Sequence, residues 1–304
     1  VIDRIAVTGA SGFVGRHLVL AASARGFEVD GIVRSESGAR VVAGAGGRPV
    51  LTQALEPEPL ARAFRGTRAV VHLAGIGAER GDGTYETVNV EGTRSVVAAA
   101  LMAGVPRVVF ASGLGVARYG MTRRCTNRYF LSKLAAEVEL FRSGLDAVVF
   151  RPCCVLGPGC KLVPQLLGQL AAGEVEQVGD GSHRLQPVAC SDAASAILAS
   201  IERKGPRPAV YDLVGPESLS LSQFLARLAG VARALGRGGG HRVREVAVEE
   251  AERRAAAGGY HGMLRDELDC LLCDQVSDPV PLESLLGRRL SPVDEALAGA
   301  VRGA

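Results

Sequence analysis

The chain has 304 residues, 47% apolar and 22% charged, which is enough apolar content to bury a sizeable core and too much for a disordered chain. Its 35 Lys and Arg stand against 32 Asp and Glu, a formal charge of +3 that provides no basic face of the kind nucleic acid requires. Apolar runs such as residues 96–103 stop well short of the ~20 residues of a membrane span, so neither a span nor a nucleic-acid partner is expected.

Ile5-Ala6-Val7 comes at once, with no basic-then-apolar leader before it, and the seven cysteines form no regular framework. A cytoplasmic, reducing setting is therefore expected. Residues 4–8 read as a buried strand running into Thr8-Gly9-Ala10-Ser11-Gly12-Phe13-Val14-Gly15, and residues 16–24 continue as a helix. Glycines at 9, 12 and 15 allow a turn closed to other residues and let the backbone approach phosphate oxygens, while the helix start offers free N–H groups and a positive dipole end. Gly9, Ser11, Gly12, Phe13, Val14 and Gly15 are thus expected to hold the pyrophosphate of a dinucleotide. The second strand, 28–34, ends on Arg34, where a site selective for NAD(H) carries an acid for the ribose hydroxyls. A guanidinium there suits a 2′-phosphate, so NADP(H) is the expected cofactor.

Further strands are read at 48–52, 69–73, 107–111 and 147–151, separated by amphipathic helical stretches, which predicts an α/β fold with a doubly wound parallel sheet. Val70-Val71-His72-Leu73 and Val108-Val109-Phe110 are apolar on both sides, as a sheet covered on two faces requires. After Arg151-Pro152 the pattern changes: a helix over 162–172, an extended stretch at 186–189, a helix from Asp192, then a mainly helical remainder interrupted by a glycine-rich linker at 236–240. Residues 1–155, with 186–214 returning to them, are assigned to the dinucleotide-binding domain, and 156–185 with 215–304 to a smaller substrate lobe.

Tyr129-Phe130-Leu131-Ser132-Lys133 places Tyr129 and Lys133 at i and i+4, on one face of a helix. A neighbouring ammonium lowers a phenol's pKa, which would make Tyr129 an acid/base beside a carbonyl or hydroxyl carbon, with Ser112 holding the substrate oxygen and Asn89 completing the set. Other candidates read more plainly. Cys270 and Cys273 are expected on a buried helix face without metal, Cys153 and Cys154 as small core residues, and His183 as a solvated loop residue. The arginines at 118, 123, 124 and 128 are expected to face water.

Taken together, the glycine turn, Val71-His72-Leu73-Ala74-Gly75, Asn89 with Gly92-Thr93, Ser112, the Tyr129/Lys133 pair and Arg151-Pro152 through Gly157-Pro158-Gly159 resemble the short-chain dehydrogenase/reductase superfamily in its extended or atypical, epimerase/dehydratase-like branch. The resemblance implies a Rossmann fold with Leu73, Ala74 and Gly75 against the cofactor. It further implies Tyr129 as the acid/base, Lys133 on the nicotinamide ribose, and backbone from Pro152 through Cys153 to Val155 near the nicotinamide amide. Three positions depart from the pattern. Gln53 replaces an acid near the adenine, Gly113 stands where many members carry the catalytic hydroxyl, and Leu185 stands where nucleotide-sugar enzymes carry a diphosphate-binding arginine, with Arg184 one step away. Gln186-Pro187-Val188, residues 271–277 and residues 286–292 resemble the subgroup of the complex I nucleotide-binding accessory subunit. The sequence thus predicts an NADP(H)-dependent oxidoreductase passing hydride between nicotinamide and a small carbonyl or alcohol compound, with a homodimer as a further possibility. A nucleotide-sugar epimerase or dehydratase and a non-catalytic NADPH-binding assembly protein stay open as alternatives.

Overall fold

The computed structural model describes residues 3–203 and 208–304. The first half alternates β1 (Arg4–Thr8), α1 (Phe13–Ala24), β2 (Glu28–Val33), α2 (Glu36–Gly44), β3 (Arg48–Leu51), α3 (Pro57–Phe64), β4 (Ala69–His72), α4 (Gly92–Ala103), β5 (Arg107–Ala111), α5 (Arg128–Arg142) and β6 (Asp146–Pro152). There follow β7 (Val155–Leu156), α6 (Leu162–Ala171), β8 (Glu174–Val178), β9 (Arg184–Leu185), β10 (Val188–Ala189), α7 (Cys190–Glu202), β11 (Ala209–Leu213), β12 (Leu219–Ser220) and α8 (Leu221–Ala234). The chain closes with β13 (Arg242–Val246), α9 (Val248–Ala256), α10 (Arg265–Leu272), α11 (Val280–Leu286) and α12 (Val293–Arg302).

Among the described residues, seven strands make one sheet in the order β11-β6-β5-β4-β1-β2-β3, with every neighbouring pair parallel. This is the predicted α/β Rossmann architecture. Period-two alternation sends Ile5, Val7, Val71, Val109, Val148 and Phe150 to one face, where α1 and α7 cover them. It sends Ala6, Val70, Val108, Phe110, Ala147 and Val149 to the other, under α3, α4 and α5. Chain direction along the sheet reverses between β1 and β4, the crevice where open α/β folds bind ligands beyond the strand carboxyl ends.

The lobe beyond β6 has its own core from α6, α8 and α12, with Phe224, Leu228, Val163 and Leu297 at its centre. A second, smaller core joins β8, β13, α9 and α10 through Val178, Val246, Ala251 and Leu268. Leu282, Leu285 and Leu290 join the sheet core instead, so α11 lies on α7 rather than on the lobe.

Two features differ from the sequence reading. β11 adds a seventh strand beside β6, and the lobe contains the parallel pair β8–β13, so it is less uniformly helical than expected. In both cases the pairing partner lies some 60 residues or more away, and strand pairing of that range leaves no local periodic mark. The β8–β13 pair also carries an exposed charge ladder, with Arg244 bound by both Glu174 and Glu176, which disguises it as a solvated segment.

Candidate functional site

β1 delivers the chain to Gly9, whose φ of +70° favours glycine and whose Cβ, were one present, would stand 2.7 Å from Ala74 N. Gly15, in the first turn of α1, packs so closely that a Cβ there would lie 2.2 Å from Gly9 O. Gly12 N donates to Gly9 O at 2.9 Å, and as N-cap of α1 Gly12 has no side chain to satisfy the first amides of the helix. Uncapped amides at a positive helix end, with no Cβ in the way, fit a pyrophosphate. Gly9, Ser11, Gly12, Arg34, Leu73, Ala74 and Gly75 line one groove of about 470 Å³ together with Gln53. Arg34 is exposed at its edge and makes no ion pair among the described residues, while Ser35 beside it caps α2 by accepting from Gly38 N at 3.1 Å.

The remaining predicted cofactor residues are not in its lining. Phe13 packs on the lobe core and Val14 on the sheet core. Pro152 ends β6, Cys153 N donates to Leu213 O at 3.2 Å, and Val155 pairs with Val188, so this segment joins sheet to lobe. Cys153 also packs against the lobe core, and burial pushes its thiol up to about 11, in line with a small core residue.

A buried relay beneath the groove was not anticipated. Thr93 Oγ1 donates to Asn89 O at 2.6 Å and must therefore accept from His72 Nε2 at 3.0 Å, which leaves Nδ1 to accept from Thr8 Oγ1 at 2.7 Å. The carboxyl ends of β1 and β4 and the start of α4 are thereby tied by one neutral histidine, whose pKa burial and then the Lys133 charge push down to about 3. Folded His72 therefore titrates far below its usual 6.5, so the unfolded chain binds the extra proton between those values and stability falls as pH drops through that window. The His72→Gln variant is expected to be less stable at neutral pH, by about 1–3 kcal/mol. Its urea-unfolding free energy should also decline less steeply below pH 6.5, by up to ~1.4 kcal/mol per pH unit. Parallel pH curves for the two proteins would exclude this role.

Asn89 sits in a π-helical turn, Glu86–Glu91, that leads into α4. Its amide is fully engaged: Oδ1 accepts from Ile76 N at 2.8 Å, and Nδ2 donates to Ile76 O at 3.0 Å and to Ser132 Oγ at 2.9 Å. Ser132 Oγ in turn donates to Tyr129 O at 2.7 Å. Asn89 thus pins the groove wall at residues 75–76 to α5.

α5 starts at the N-cap Asn127, whose Oδ1 accepts from Phe130 N at 2.8 Å, and this puts Tyr129 in its first turn with Lys133 one turn on. Lys133 Nζ lies 4.4 Å from the centre of the Phe110 ring, and a Cβ on Gly75 would stand 3.5 Å from it, so the amine borders the groove. Burial lowers its pKa to about 8, partly opposed by Glu137. The expected lowering of the Tyr129 phenol is not found. Burial, and next Cys270, hold it well above the usual value, so Tyr129 keeps its proton at neutral pH. Ser112 Oγ is buried without a hydrogen-bond partner among the described residues, which leaves a hydroxyl to offer. A Cβ at Gly113 would come within 3.5 Å of Tyr129 Cε1, so position 113 faces the phenol ring.

Because folded Lys133 titrates near 8 against 10.5 when exposed, it costs stability at neutral pH, a cost that is relieved as pH rises from 8 towards 10.5. Lys133→Met is expected to stabilise the protein by about 1–3 kcal/mol at pH 7, with the gain shrinking across that window. Chemical denaturation at neutral and alkaline pH measures it, and a destabilised variant at pH 7 would count against a desolvated lysine.

The lobe closes over α5 through α10. Tyr85 lies 6.1 Å from the Tyr129 ring and donates to Gly77 O at 3.0 Å, while Arg80 reaches Glu267 at 2.6 Å and Gly262 O at 2.8 Å. Two expectations need correction here. Arg118 does not face water but donates to Asp274 O and Val276 O, both at 2.7 Å, and Arg124 bonds Asp269 at 2.9 Å and Glu252 at 3.1 Å. Those carboxylates come from α9 and α10, more than 120 residues downstream, so the arginines looked unpartnered in sequence. His183 lies in the loop before β9 and is partly exposed, with its Nε2 buried. Arg123 and Arg128 do remain largely exposed, each with an acidic neighbour.

Comparison with known proteins adds the following. The family model described as the NAD dependent epimerase/dehydratase family matches residues 5–213. A 4-hydroxy-2-methyl-3-oxo-4-farnesyl-3,4-dihydroquinoline-1-oxide ketoreductase of Stigmatella aurantiaca is 30% identical over 74% of this chain and 72% of its own length. A 2-alkyl-3-oxoalkanoate reductase of Stenotrophomonas maltophilia is 29% identical over 74% of each chain. Among solved structures, MoeE5 in complex with UDP-glucuronic acid and NAD superposes with a TM-score of 0.75 at 23% identity, covering 99% of this chain and 98% of that one.

Proposed function

Since the chain belongs to the NAD-dependent epimerase/dehydratase family and is an NAD(P)-dependent enzyme, we propose that it is an NADPH-dependent reductase of a small-molecule carbonyl compound. The observation that carries this reading is the Tyr129/Lys133 pair one turn apart on α5, with a protonated phenol and an amine that borders the groove. The bound nicotinamide supplies the hydride. Tyr129 gives its phenolic proton to the carbonyl oxygen as negative charge develops there, and Ser112 offers the same oxygen a second hydrogen bond. Lys133, charged below about pH 8, favours the phenolate that results and would hold the ribose hydroxyls of the cofactor.

Arg34 supports the phosphorylated cofactor, because its guanidinium is exposed on the groove edge with no acidic partner among the described residues. The nucleotide-sugar alternative is less well supported. Leu185 is buried, and Arg184 is turned to Ser218, donating to Oγ at 3.0 Å and to the carbonyl at 2.9 Å. The names of the two reductases above support a ketone next to an alkyl group as the substrate class. Titration of the NADPH-bound protein, followed by cofactor fluorescence, separates the readings. A saturable response to alkyl 3-oxo acids with none to UDP is expected, and saturable binding of UDP would favour the nucleotide-sugar alternative instead.

A further inference from the structure

Cys125 lies in the short helical turn Arg123–Thr126 that leads into α5, and Cys273 caps the C-terminus of α10 in the opposite lobe. Their Sγ atoms are 2.7 Å apart, well inside ordinary non-bonded contact, and a small approach reaches the S–S bond length of about 2.05 Å. Both backbones are held in place. Arg118 grips the carbonyls of Asp274 and Val276 just past Cys273, Arg124 bonds Asp269 on α10, and Asn127 Nδ2 donates to Asp266 O at 3.4 Å. Metal binding does not explain the pair, because no group of three ligating side chains among the described residues is placed for an ion.

We propose that Cys125 and Cys273 are a redox modification site, at which a peroxide forms an intramolecular disulfide that locks α10 over the catalytic helix. Each thiol loses one proton and one electron, and both S–H bonds break as the S–S bond forms. Hydrogen peroxide takes up the two electrons and two protons and its O–O bond breaks to give two waters. Both sulfurs are buried, which restricts the reaction to a small oxidant such as hydrogen peroxide. The bond closes a loop spanning 148 positions and replaces breakable polar contacts, such as those of Arg80 with Glu267 and Arg124 with Asp269, by a covalent one. α10 is tied through Glu267 to Arg80, in the loop that leads to Tyr85, whose ring lies 6.1 Å from that of Tyr129, so an immobile α10 restricts access to the phenol. The groove lined by Gly9, Arg34 and Gly75 is left untouched.

The test treats the full chain with hydrogen peroxide and maps its peptides by mass spectrometry without reduction. The expected result is a peptide pair joined through Cys125 and Cys273, two hydrogens lighter than its parts and released by dithiothreitol, with two of the seven free thiols lost. The pair should persist in Cys270→Ser and be absent from Cys273→Ser. Carbonyl turnover should fall on oxidation in the wild type and recover on reduction, while NADPH affinity is unchanged. Free Cys125 and Cys273 after other thiols have been consumed, or pairing of either with Cys270, would overturn the proposal. The effect on turnover rests on the reductase reading, but the cross-link is read by mass alone, so a failure of that reading leaves the peptide result standing.

Discussion

Tyr129→Phe is expected to lower kcat for carbonyl reduction about 10²–10⁴-fold while NADPH affinity stays within about 2-fold of wild type. The ring fills the same space, so the contacts with Tyr85 and Phe130 survive and only the proton is removed. Because burial keeps the phenol protonated through the physiological range, the wild-type rate should not depend on titration of Tyr129 near neutrality. The rate should instead decline as Lys133 loses its charge above about pH 8. Steady-state kinetics with fluorescence titration of the cofactor distinguishes these effects. Unchanged turnover in the phenylalanine variant would remove Tyr129 from the chemistry.

Arg34→Ala is expected to weaken NADPH binding about 10–100-fold and to leave NADH binding unchanged, the value of a charge-assisted contact to phosphate. Arg34 is exposed, so the wild-type preference for NADPH should shrink as salt rises and the variant should show no such trend. Calorimetric titrations of both cofactors at low and high ionic strength measure this, and equal affinities throughout would rule out a 2′-phosphate contact at Arg34.

The glycine turn, the six leading strands and the Tyr129/Lys133 spacing were legible in the sequence because each is written within a few residues. Gly9 reports a positive φ, the alternation in Val108-Val109-Phe110 reports two covered faces, and i, i+4 reports a shared helix side. What was missed depends on partners distant in sequence. β11 and the β8–β13 pair are strands only once β6 and each other are in place, and Arg118 and Arg124 look solvent-facing until α10 folds onto them. His72 was read only as part of an apolar strand and of a family motif, because its hydrogen bonds to Thr8 and Thr93 span 64 and 21 positions. The rise of the Tyr129 pKa was missed for the same reason: helix spacing shows Lys133 nearby but not the desolvation imposed by the lobe.

A reductase and an epimerase differ most directly in stoichiometry. The chain should be supplied with NADPH and an alkyl 3-oxo compound, and separately with a nicotinamide cofactor and a UDP-hexose, with loss of reduced-nicotinamide absorbance and products followed together. One NADPH oxidised per alcohol formed, with the UDP-hexose returned unchanged, is the predicted result. Conversion of the UDP-hexose to an epimer without net change in the nicotinamide would contradict it.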